Sequence, residues 1–105
     1  MPKEYFRSLI ACPSQLEAET ILEALLKDKL IAGGLISAGQ SRHWWQGKID
    51  REDYYNISAF TIAKHRDKII KIVEQISADD TPGIVFFKID YSYPKFLDWI
   101  DENTK

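Results

Sequence analysis

Apolar residues change their spacing several times along the chain, and each change marks an element. Tyr5 to Cys12 is dense in aromatic and aliphatic residues and predicts a first strand, stopped by Pro13. Ser14 followed by Glu17 has the capping-box spacing of a helix start. Ala18, Ile21, Leu22, Leu25 and Leu26 then recur at helical spacing, with Leu30 one turn on, which predicts a helix of about four turns lying on a sheet. Gly33-Gly34 predicts the chain reversal after it. Leu35 to Trp45 reads as a second strand, with Gly39 marking a bulge or bend, and Gln46-Gly47 as a hairpin turn. Asp50 to Asp53 reads as a solvated stretch and Tyr54 to Ile62 as a third strand. Ile69, Ile70, Val73 and Ile76 predict a second amphipathic helix. Asp79 to Gly83 has loop composition, Ile84 to Ile89 is a nearly unbroken apolar strand, and Tyr93-Pro94 opens a short last helix with Phe96, Trp99 and Ile100 as its apolar face.

The order is β-α-β-β-α-β with a terminal helix. It specifies an α+β, ferredoxin-like fold: an antiparallel sheet, both main helices on one face, and a long hairpin between the second and third strands. In this topology the fourth strand lies at an edge. Its apolar residues, Phe86 and Phe87 among them, occupy both faces, and helices cover only one. Trp44 and Trp45 are strand neighbours, so their indoles point to opposite sides. Exposed apolar edges and indoles call for a partner surface. Self-association is expected, with Trp44, Trp45, Phe86 and Phe87 carrying it.

Composition adds bounds. The 105 residues predict one domain, residues 1–105. The net charge of −2 gives no basic footprint for nucleic acid. The single cysteine, Cys12, permits no intrachain disulfide, and neither a secretory signal nor a membrane-spanning run is evident. A cytoplasmic protein without nucleic-acid or membrane partners is expected.

Candidate chemistry is sparse. Soft-metal sites need several converging Cys and His ligands, whereas Cys12, His43 and His65 fall at no recognised ligand spacing. Cys12 reads as a small packing residue and His65 as a solvent-facing residue at the start of the second helix. No residues are assigned as metal ligands. Asp79-Asp80 and Asp50, Glu52 and Asp53 read as solvated carboxylates. No nucleophile with its base is evident, and Pro13-Ser14-Gln15 replaces the glycine-rich loop that would cradle phosphate. No enzyme activity is expected.

Several blocks resemble the CutA family of divalent-cation tolerance proteins. They are Ala11-Cys12-Pro13, Lys29-Leu30-Ile31-Ala32, Trp44-Trp45-Gln46-Gly47-Lys48-Ile49 and Phe96-Leu97-Asp98-Trp99-Ile100. The resemblance implies a compact homotrimer whose sheets pack inward and whose hairpins reach over neighbours. It also implies a link to divalent metals, copper especially, through binding or scaffolding. Trp45, Lys48, Asp80 and Pro82 are the residues it suggests for the cleft between subunits. Three positions depart from the family pattern. Gly33 replaces its Cys, Phe60 its Lys, and Ser77 its candidate metal-binding His. Asp80 keeps the acidic character of the last segment and Pro82 its proline. The alternative is a small-ligand sensor on the same trimeric build, similar to the nitrogen-regulatory PII proteins.

Overall fold

The computed structural model describes residues 3–104. Strand β1 spans Tyr5–Cys12, helix α1 Gln15–Lys27, strand β2 Gly33–Trp45 and strand β3 Lys48–Ile62. A short 3-10 turn, Ala63–His65, leads into helix α2, Arg66–Ile76. Strand β4, Gly83–Lys88, and helix α3, Pro94–Asn103, complete the chain. The four strands form one antiparallel sheet in the order β2-β3-β1-β4, so β4 is an edge strand. This is the expected α+β, ferredoxin-like architecture.

Register fixes what each face carries. Ile10 of β1 stands beside Ile57 of β3 and Ile84 of β4, and Ile57 in turn beside Ile36 of β2. This row packs against Ala18, Ile21 and Leu25 of α1 and Ile69 and Val73 of α2, forming the core. Removal of these aliphatic groups from water is the main driving force for closing the layers.

The opposite face is only partly covered. The row Gly33, Phe60, Arg7, Phe87 and the row Leu35, Ser58, Leu9, Val85 run across it. Helix α3 lies over one end. Phe96 meets Phe60 edge-on with centroids 4.9 Å apart, and Trp99 stacks on Phe96 at 5.3 Å. The Tyr5 hydroxyl donates to Asp101 Oδ2 at 2.6 Å, tying β1 to α3. Beyond α3 the face is open, with Leu35, Val85 and Phe87 at 73%, 46% and 51% exposure.

Five local expectations need correction. Gly33-Gly34 is not the chain reversal. Helix α1 ends in a Schellman arrangement, in which Leu30 N–H donates to Leu25 O and Lys29 N–H to Leu26 O. Lys29 takes the left-handed conformation, φ 56°, that a glycine usually supplies. Gly33 and Gly34 instead begin β2, where close packing demands them. A Cβ on Gly33 would stand 2.9 Å from the Trp99 ring.

Gly39 marks no bulge, because the β2-β3 register runs unbroken from Gly33↔Phe60 to Trp45↔Lys48. Asp50 to Asp53 is part of β3, paired with Gln40 to His43, so the hairpin is longer than the apolar pattern predicts. The capping box is half formed. Ser14 Oγ accepts from Glu17 N–H, but the Glu17 carboxylate turns away to accept from Ala78 N–H at 2.8 Å. His65 is buried rather than solvent-facing, and its Nε2–H donates to the Thr104 carbonyl at 2.7 Å.

Candidate functional site

Residues 40–53 extend the β2-β3 hairpin away from the helices, and neither face of this arm packs on the core. Side chains alternate along it. On the side continuous with the open sheet face stand Ser41, His43 and Trp45 of β2, opposite Glu52, Asp50 and Lys48 of β3. This side of the arm, the end of the sheet and the segment after α2 enclose a cleft of about 660 Å³.

Hydrogen bonds fix the inner wall. Ser41 Oγ and His43 Nδ1 share a bond of 2.8 Å, and the His43 ring meets Tyr54 edge-on at 5.6 Å. The Tyr54 hydroxyl donates to Asp79 Oδ2 at 2.8 Å. Asp79 N–H donates to Ser77 Oγ at 3.1 Å, while Ala78 N–H is held by Glu17. The segment after α2 is thus latched to α1 on one side and to β3 on the other. Burial, and then the bond to Asp79, pushes the Tyr54 phenol well above its ordinary range.

The buried Cys12 thiol is pushed up to about 12, first by burial and then by the charges of Glu17 and Asp79. A thiol held in that state is neither a nucleophile nor a ready metal ligand near neutral pH. Among the described residues no three His, Cys, Asp or Glu side chains converge closely enough to hold a metal ion. The described residues of one chain do not by themselves bring together the donor set that a divalent transition metal takes.

Of the residues suggested for the subunit cleft, Trp45 lines it. Lys48 sits opposite Trp45 at the arm's tip. Asp80 and Pro82 lie in the framing segment, which offers the cleft Asp79, Thr81 and Gly83 instead. Among the assembly candidates Trp44 is 72% exposed and Trp45 40%, while Phe86 packs on the core and Phe87 faces the open side. Asp50, Glu52, Tyr54 and Asn56 line the cleft without having been anticipated there. Continuing the two-residue alternation of β3 through the acidic run would have placed all four on one face.

The three departures from the family pattern do not converge within the chain. Gly33 and Phe60 are register partners beneath α3, where the missing Cβ and the added ring together seat Trp99 and Phe96. Ser77 caps the end of α2.

Comparison with known proteins agrees with this architecture. The family profile of the CutA1 divalent ion tolerance protein matches residues 7–103. The chain belongs to the CutA1 family. The divalent-cation tolerance protein CutA of Archaeoglobus fulgidus is 33% identical over 96 residues, covering 91% of this chain and 94% of that protein. Its counterpart from Thermus thermophilus is 31% identical over 97 residues, covering 91% and 94%. The solved A. fulgidus structure, described as a periplasmic divalent cation tolerance protein, superposes with a TM-score of 0.93 at 32% identity, over 96% of this chain and 99% of that one. Membership of the CutA1 family connects the chain to divalent-cation tolerance. Among the described residues no helix is long and apolar enough to cross a membrane.

Proposed function

We propose that the chain acts as a homotrimeric binding or scaffolding protein in the response to divalent cations, copper in particular, and not as a catalyst. The observation that carries this reading is the open sheet face. Leu35, Val85 and Phe87 remain in water on a surface that no segment of the same chain covers among the described residues. The arm leaves both indoles exposed, which is surface that a neighbouring copy would cover. The protonated state of Cys12 argues against thiol catalysis.

Because donors do not converge among the described residues of one chain, a copper site would draw on side chains from neighbouring copies. His43, on the cleft wall, is the borderline donor placed to contribute. The reading locates the protein in the cytoplasm, on its lone cysteine; cell fractionation separates this from the periplasmic location in the A. fulgidus description. Calorimetric titration with copper and zinc, on a sample whose mass is checked by light scattering, tests the metal link. Saturable binding by a species three times the 12.2 kDa chain is expected. A trimer without saturable binding below millimolar metal would remove the metal from the account.

The cleft itself favours a second reading, a small-ligand sensor on the same build. Its volume of about 660 Å³ suits a small organic molecule better than a bare ion. A thermal-shift screen of metabolites separates the two, because a ligand that binds the native state raises the midpoint.

A further inference from the structure

In the rows that cross the open sheet face from Gly33 to Ser37, Arg7 alone carries a charge. It stands between Phe60 and Phe87 in register, with Leu9 next to it on the same side of β1. Its Nε–H donates to Ser58 Oγ at 2.7 Å, and the side chain is exposed. Among the described residues Arg7 takes part in no ion pair. A sister copy that covers Leu35, Val85 and Phe87 also takes this guanidinium out of water. Burying it without an opposite charge is strongly unfavourable, so the covering surface has to bring a carboxylate.

The chain's own arm cannot bring it. Glu52 lies roughly 26 Å along β3 from Phe60, the register partner of Arg7, and Asp50 lies farther still. Yet these two carboxylates are the complement that Arg7 lacks. They stand on the side of the arm continuous with the open face, and among the described residues neither takes part in an ion pair. Lys48 shares that side but sits beyond Asp50 at the tip, so the acidic stretch is confined nearer the arm's root. Asp79, at the same surface, is already engaged by the Tyr54 hydroxyl. We propose that Arg7 receives the Asp50–Glu52 stretch of a sister copy's arm, and that this ion pair sets the register in which copies assemble. Apolar contact through Leu35, Val85 and Phe87 is non-directional. A guanidinium presents its donors as a rigid fork that fits a carboxylate, which fixes position as well as adding attraction. The contact is head-to-tail: each copy offers Arg7 at one surface and the arm carboxylates at another, the arrangement that closes copies into a ring.

This inference rests on the homotrimer proposed above and names the contact that orients it. Charge exchange tests it, read by sedimentation equilibrium of the full chain over a dilution series at low salt. Arg7→Glu should raise the concentration at which the assembly dissociates by about tenfold or more, because like charges then meet. Glu52→Arg or Asp50→Arg should do the same. Combining Arg7→Glu with the arm reversal that weakens association should restore the parental midpoint. Arg7→Glu with Glu74→Arg has the same net charge but places the new cation on the exposed side of α2, and should restore nothing. Far-ultraviolet circular dichroism verifies folding of each variant. The arm reversals leave β1 untouched, so they decide the matter even where Arg7→Glu disturbs that strand. Parental association in Arg7→Glu, parental association in both arm reversals, recovery with neither of them, or equal recovery with Glu74→Arg would overturn the pair while the trimer stands. A parent that is monomeric throughout the series would remove the pair and the assembly together.

Discussion

Two glycines of β2, Gly33 and Gly39, offer a paired experiment in which the same substitution has opposite effects. Neither has the positive φ that would strain an alanine, so only their surroundings differ. A Cβ on Gly33 would lie 2.9 Å from Trp99 Cη2 and 3.1 Å from Cζ2, inside the distance at which carbon contacts turn repulsive. Trp99 is partly exposed but rests on Phe96, which is packed edge-on against Phe60. Relieving the clash means swinging the ring off Phe96 or moving helix α3 outward. Overpacking of this kind costs about 1–3 kcal/mol, and a weakened aromatic pair about 0.5–1.5 kcal/mol. Restricting the unfolded chain returns about 0.4–1 kcal/mol. Gly33→Ala should therefore lose about 0.5–4 kcal/mol. Each kcal/mol lowers the melting temperature by about 4–8 °C for a chain of this size. At Gly39 nothing lies within 4 Å of the new Cβ, so only the gain from the unfolded chain remains. Gly39→Ala should raise the melting temperature by a few degrees. Both variants and the parent would be melted at one protein concentration, since assembly makes the midpoint concentration-dependent. Shifts of the same sign, or a stabilised Gly33→Ala, would refute the packing argument.

Two further perturbations test other parts of the structure. Lys29→Gly removes a left-handed non-glycine residue from the Schellman turn and should raise stability by roughly 1 kcal/mol, read by urea midpoint at unchanged slope. Cys12 titrates near 12 in the fold against an ordinary 9.0, so its contribution is complete below about pH 9 and disappears as pH rises toward 12. The alkaline limb of a stability-pH profile should flatten in Cys12→Ala, and Cys12 should resist alkylation at pH 8 until the chain is unfolded; rapid labelling of the native protein would contradict its burial.

Most of the architecture is legible in the sequence because burial imposes a period. Strand β1 and helix α1 each press one side against the core, and their apolar spacing announces it. The start of β3 escapes for the complementary reason. Asp50 to Asp53 pair along the arm but cover no core, so nothing selects an alternation of apolar and polar residues there. Asp50 and Glu52 therefore look like a solvated stretch and not like one wall of a cleft. Gly33-Gly34 misleads because a glycine pair after a helix has a common local meaning. The actual demand comes from Trp99, far along the chain. His65 and the Glu17 carboxylate follow the same pattern: their partners, the Thr104 carbonyl and Ala78 N–H, are remote in sequence. Phe86 and Phe87 look alike as an apolar pair, yet alternation assigns them to opposite faces, and only Phe87 is left in water.

The claim on which the functional reading depends is that Leu35, Val85 and Phe87 are covered by sister copies in solution. Sedimentation equilibrium across the micromolar range measures this directly. The account predicts a single species of three chains; a monomer throughout that range would contradict it.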